Sequence, residues 1–165
     1  MRGRLGRRAG GAAAVVLVLA VGAASPASAA EISREQYVAR TEPICKQNVL
    51  ANKRIFEGAK GDVKAGKLKQ ASTHFRRAAA AFAKTIGQIE AVPQPGADEA
   101  KLASWLGYLH AERDFVASIG KALAAEQRHK AESISVKLNR NSTRANNSVL
   151  GFGFDYCLID SSRFG

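Results

Sequence analysis

A few side chains in this sequence are of a type that could do chemistry. Cys45 and Cys157 are its only cysteines, so each has a single possible disulfide partner. His129 and Glu132 lie three apart, a spacing that on a helix could offer two ligands to a metal or make a local charge pair. Glu112 interrupts an apolar helical stripe between Leu109 and Val116. Buried alone it would be costly, so it must reach water, pair with a base such as Arg76 or Arg77, or line a polar pocket. Lys130, Lys137, Arg140 and Arg144 recur at helical steps, with Glu132 the only acid between Arg128 and Leu150. They predict a basic stripe that could meet an anionic polymer, lipid head groups or an acidic protein, or serve as an ordinary solvated face.

The motifs of common catalysts are missing. There is no phosphate-cradling glycine loop, no Gly-x-Ser-x-Gly elbow, no His-Glu-x-x-His and no paired-cysteine metal motif. His74 and His110 fall beside the stripe positions Phe75 and Leu109, where a histidine is solvated or at an edge. Tyr108 and His110 as haem-facing groups would point to different sides of one helix, and no Cys-x-x-Cys-His attaches haem. The expectation is a protein without catalysis, cofactor or metal. Nucleic acid is not expected as a partner, because the basic stripe has no interleaved aromatic side chains.

These side chains must be positioned by what lies beyond a targeting segment. Arg2, Arg4, Arg7 and Arg8 precede an uncharged apolar run from Gly11 to Ala24, and Ala27-Ser28-Ala29 offers small residues for cleavage. Residues 1–29 are therefore expected to be a cleaved signal peptide. The apolar run is short of the ~20 residues that cross a bilayer, which disfavours an uncleaved anchor and a stable membrane span. Arg7-Arg8 lacks the bulky apolar pair that a twin-arginine signal would carry next. Removing four arginines leaves 21 Lys and Arg against 14 Asp and Glu, a net charge of +7. Residues 30–165 are the size of one domain with a modest core. Export permits a disulfide, and two cysteines in an exported chain pair more often than they ligate metal, so Cys45 to Cys157 is the expected bond.

Hydrophobic periodicity predicts four helices. Ser33-Arg34-Glu35-Gln36 has the form of a capping box that starts the first, and Pro43 kinks it at Glu42 or makes it restart at Thr41. Cys45, Val49, Asn52 and Phe56 then share a stripe. Gly58 to Asp62 reads as a turn. Leu68, Ala71, Phe75, Ala78 or Ala79, Phe82, Ile86 and Ile89 form the most regular stripe, suited to bundle packing. Pro93-Gln94-Pro95-Gly96 ends that helix, with Asp98 as N-cap of the next. The third helix, about Glu99 to Ala125, buries Leu102, Trp105, Leu109, Val116, Ile119 and Leu123. A turn without glycine at Glu126-Gln127-Arg128 separates it from a fourth helix, with continuation through a kink as the alternative. That helix points Ala131, Ile134, Leu138, Ala145 and Val149 inward.

Four stripes on short connections predict an all-α, up-down-up-down four-helix bundle. The tail can test the disulfide: six extended residues from Gly151 reach about 20 Å, enough to return along the ~18 Å of first helix before Cys45. Phe152, Phe154 and Tyr156 alternate so that one side of the tail packs on the bundle.

Tyr37 with Ile44-Cys45, the Pro-x-Pro link before Trp105-Leu106, and Leu150-Gly151-Phe152 with Cys157 together resemble small secreted or lipoprotein helical domains of actinobacteria. The resemblance covers nearly all of the chain after the signal peptide and implies the bundle and the disulfide. It carries over no catalytic residues. This chain departs from it in lacking a lipidation cysteine and a Gly-Asp turn before the last helix, and in continuing past Cys157. The functional expectation is an exported interaction module of the cell envelope or medium, binding a protein or anionic polymer through Lys130, Lys137, Arg140 and Arg144. The alternative is a carrier of haem, metal or lipid in the bundle interior.

Overall fold

The structure, a computed structural model, describes residues 31–160; the expected signal peptide lies outside them. Helices α1 (Arg34–Ile55), α3 (Leu68–Glu90), α4 (Glu99–Ala124) and α5 (Arg128–Ser148) are the four of the bundle, and a short α2 (Ala59–Lys64) sits in the first connection. Single 3-10 turns, Gly96–Asp98 and Leu150–Phe152, precede α4 and follow α5. Among the described residues there is no strand.

The start of α1 is the capping box expected: Ser33 Oγ accepts from the Gln36 N–H, and Gln36 Oε1 accepts from the Ser33 N–H at 2.9 Å. α1 does not restart at Pro43 but runs through it. Proline denies the Ala39 carbonyl its helical donor. Both residues are exposed, so water can satisfy that carbonyl and the helix is not forced to end. The first connection is longer than a turn. Gly58 leads into α2, and α2 ends in a reciprocal cap in which Gly66 N–H donates to the Val63 carbonyl and Lys67 N–H to that of Asp62.

Asp98 stands at the N-cap position of α4 but makes no capping hydrogen bond. Its buried carboxylate instead takes two bonds from Arg34, Nε at 2.7 Å and Nη2 at 2.6 Å. Those hydrogen bonds and the Arg34 charge hold Asp98 below the usual carboxylate range, against the opposing effect of burial. Arg34 also lies 4.8 Å over the Phe152 ring and donates to the Gly151 carbonyl at 3.3 Å. One guanidinium thus ties together the starts of α1 and α4 and the turn after α5.

α3, α4 and α5 pack in sequence, and α1 packs chiefly on α3. The α3–α4 contact is close: a Cβ on Gly120 would come within 3.2 Å of Phe75 Cβ and 3.4 Å of the Ser72 carbonyl. α4 and α5 are separate helices. Ala125 closes α4, Glu126 N–H donates to the Leu123 carbonyl and Gln127 N–H to that of Ala122. This repeats the cap after α2, with Glu126 at φ 58° where Gly66 has φ 74°.

The core falls into two clusters. One joins Tyr37, Ile86, Leu102, Trp105 and Val149 to the tail aromatics Phe152 and Phe154. The other, at the opposite end, joins Leu68, Ala71, Ile119, Leu123 and Ala131.

A side chain with a Cβ in the left-handed region costs about 1 kcal/mol. Glu126→Gly is therefore expected to raise unfolding free energy by about 0.5 to 1 kcal/mol in urea denaturation, with the slope unchanged.

Candidate functional site

Between the two clusters lies a cavity of about 1220 Å³ that opens to solvent. Its existence follows from the packing order. α1 and α5 are the first and last helices and meet each other little, so both line a gap floored by α3 and α4. α3 contributes Phe75, Ala78, Phe82 and Ile89, α4 Trp105, Leu109 and Val116, α1 Val49 and its C-cap Phe56, and α5 Leu138. Several are residues that the sequence stripes placed inward. Phe75, Phe82, Val116, Val49, Phe56 and Leu138 are only partly buried because one side of each faces this space, and Phe56 and Phe75 also meet edge-on at 5.1 Å.

One end of the gap is strapped by the tail. Cys45 and Cys157 are joined, 112 residues apart, as expected. Three residues before Cys45, the Glu42 carboxylate accepts the backbone N–H groups of Asp155, Tyr156 and Cys157 at 2.9, 3.0 and 3.2 Å. On the α5 side the Asn146 amide pairs with Ile159, donating to its carbonyl at 2.9 Å and accepting its N–H at 2.8 Å. The tail is not the extended run expected: it begins with a 3-10 turn and bends at Gly153, φ 72°. Phe152 and Phe154 still pack inward. Phe154 stacks on Trp105 at 5.3 Å and on Phe152 at 5.4 Å, and its edge contact with Tyr37 is 6.5 Å. Tyr156 to Ile159 form the cavity wall at that end.

Glu112 is buried on the α4 stripe and lines the cavity. It is not paired with Arg76 or Arg77, both of which are exposed. α5 supplies its partners instead: Asn141 Nδ2 donates to Oε2 at 2.8 Å, and Ser142 Oγ lies 2.7 Å from Oε1. Burial pushes the Glu112 carboxyl up, and these two hydrogen bonds only partly oppose it. The hydrogen count agrees with a retained proton. Ser142 Oγ is also 3.0 Å from the Leu138 carbonyl, so its single hydroxyl hydrogen is divided between two acceptors when Glu112 is ionised. With Glu112 protonated, its O–H donates to Ser142 and Ser142 donates to Leu138. The sequence contained a signal for this pair, since Asn141 interrupts the α5 stripe between Leu138 and Ala145 as Glu112 interrupts that of α4.

Two further polar atoms on cavity residues lack partners. Trp105 Nε1 and Asn52 Oδ1 are buried with no hydrogen bond among the described residues, as is the Tyr37 hydroxyl, whose pKa burial raises to about 12. Such orphaned groups are uncommon and each costs on the order of 1 to 3 kcal/mol.

The remaining candidates stay apart. Lys130, Lys137, Arg140 and Arg144 are all exposed on α5, and none pairs with an acid among the described residues. Lys130 and Lys137, with Lys121 of α4, surround a shallow depression of about 510 Å³ over Phe115 and Ile134; Arg140 and Arg144 do not line it. His129 is 98% exposed and meets Glu132 at 3.3 Å as a surface pair. His74 sits between the Ile55 carbonyl and Asp62, and His110 bonds Glu90 at 2.7 Å. Among the described residues no three potential metal ligands gather, and no helix is long and apolar enough to cross a membrane.

Compared with protein-family models, with curated proteins and with solved structures, the chain matches none.

The folded carboxyl of Glu112 titrates above its unfolded value, near 4.5. Ionisation is therefore penalised only in the folded state, and wild-type stability falls as pH rises through the folded pKa. Glu112→Gln removes this penalty. Its melting temperature is expected to exceed that of wild type at pH 8 by a few degrees, with the gap closing below about pH 4.5, as read by thermal denaturation across pH.

Proposed function

We propose that this is an exported binding protein that carries a small, largely apolar ligand in the bundle interior, without catalysis. The observation that carries the reading is the cavity itself. Ligand sites are concave and mostly apolar with a few convergent polar groups, typically about 300 to 1000 Å³. Here an apolar wall of at least that size meets a small polar set, Glu112 with Asn141 and Ser142, and the unpartnered Trp105 N–H and Asn52 oxygen. The disulfide, the basic n-region and the apolar run after it support an extracytoplasmic location.

Trp105 is the only tryptophan and lines the site, so its emission reports occupancy. Titration with 1-dodecanol, an uncharged apolar probe, is expected to give a saturable change in Trp105 fluorescence. Val116→Phe combined with Leu138→Phe, which grow into the cavity, is expected to weaken that binding at least tenfold while keeping or raising the melting temperature. No saturable change with the wild-type protein up to the solubility limit would overturn the carrier reading.

The exposed α5 cations favour a second reading, attachment to an anionic envelope polymer through Lys130, Lys137, Arg140 and Arg144. None of them pairs with an acid among the described residues, which leaves the charge available, and the Lys121, Lys130 and Lys137 cluster concentrates it. Retention on an immobilised polyanion is expected to fall with salt and to be lost on joint Lys137→Glu, Arg140→Glu and Arg144→Glu substitution. Unchanged retention of that variant would remove this reading and leave the first untouched.

A further inference from the structure

The two ends of the cavity differ in chemistry. At the strapped end its wall is Trp105, Ile89, Tyr156, Leu158 and Ile159, apolar or aromatic side chains backed by the tail cluster. At the other end, where α1 runs out and α2 begins, the lining includes Lys53, Arg54, Lys60 and Lys64. All of these four are exposed, and none is paired with an acid among the described residues. Among the described residues, Glu57 is the one carboxylate that lines this part of the rim. The mouth therefore carries a net excess of about three positive charges over an apolar channel.

The channel has a definite length. From Phe75 to Ile89, both lining residues, α3 advances about 21 Å, and from Cys45 to Phe56 α1 advances about 16 Å. The hydrocarbon core of a bilayer, two acyl chains deep, is about 30 Å thick, so one chain takes about 15 Å. A single extended acyl chain and its head group match the distance from the apolar end to the cationic mouth.

We infer that the ligand is a long-chain carboxylate, its acyl chain lying along Phe82, Leu109 and Val116 and its anionic head held at the mouth by Lys53, Arg54, Lys60 and Lys64. This rests on the carrier reading and adds its ligand class. Charge complementarity selects the anion. A neutral amphiphile gains only the apolar contacts, and a cationic one is repelled at the rim. The Glu112 cluster fits the same occupant, because Asn141 and Ser142 already hydrogen-bond its carboxyl and burial disfavours its charge, which leaves the mouth as the place where charge is recognised. The four cations are exposed, so their contribution is screened by salt where the apolar contacts are not.

The test compares dodecanoate with 1-dodecanol, equal in chain length, through Trp105 fluorescence and displacement of an environment-sensitive apolar dye. Dodecanoate is expected to bind at least tenfold more tightly at low salt, and the advantage to shrink as ionic strength rises. Lys60→Glu with Lys64→Glu, both exposed on α2, is expected to abolish the advantage while 1-dodecanol binds as before, which also shows that the variant is folded. Equal affinity of the two probes, or an advantage for dodecanoate that survives the double substitution, would overturn the carboxylate assignment and leave the carrier reading standing. Failure of both probes to bind the wild-type protein would overturn the carrier reading and this inference with it.

Discussion

The structure depends on the strap between α1 and the C-terminal tail. α1 packs chiefly on α3 and meets α5 little, so nothing in the helical packing alone closes the bundle on that side. The disulfide between Cys45 and Cys157, the three N–H groups on Glu42, and the pairing of Asn146 with Ile159 do so instead. A loop of this span contributes about 4 to 5 kcal/mol in the chain-entropy account, comparable to the whole net stability of a small domain. Glu42 adds what the sulfurs cannot, since it fixes the orientation of the tail backbone and satisfies amides that the wall of the cavity would otherwise strand.

The cavity is the counterpart of that arrangement. Close approach of α3 and α4, permitted by Gly120 against Ser72 and Phe75, draws those two helices into a tight pair. α1 and α5 flank the pair from either side, and the tail spans them at one end only. The apolar stripes then divide into two clusters with unfilled space between. Side chains that would ordinarily complete a core, such as Phe82 and Val116, become the lining of a site.

Much of this could be read from residue types and spacing. The capping box, the regular α3 stripe, the four helices, the disulfide and the odd position of Glu112 follow from local rules that the fold obeys. The partners of Glu112 were partly legible, because Asn141 breaks its own stripe in the same way. Other features were hidden because they are tertiary. Asp98 gives up the capping role its position suggests for Arg34, 64 residues away in sequence. Glu42 meets amides more than 110 residues distant, with nothing local to mark it. The end of α4 rests on a glutamate in a left-handed conformation, which composition alone does not favour. Periodicity assigns Phe75, Phe82 and Val116 to the inside but does not say whether the inside is filled.

Pro43 acquires a further meaning beside the strap. From Arg34 to Cys45, α1 is fixed by the Asp98 bond, the Glu42 contacts and the disulfide. Beyond Cys45 it continues about 15 Å to Ile55 along the open gap. The helix is mechanically a beam held at both ends, because at its far end His74 bonds the Ile55 carbonyl and the Phe56 ring meets Phe75 edge-on at 5.1 Å. Its ladder lacks one hydrogen bond where Pro43 withholds a donor, within the first support. The compliance that Pro43 introduces is thereby confined to a braced section, and the span over the gap is carried by unbroken helix.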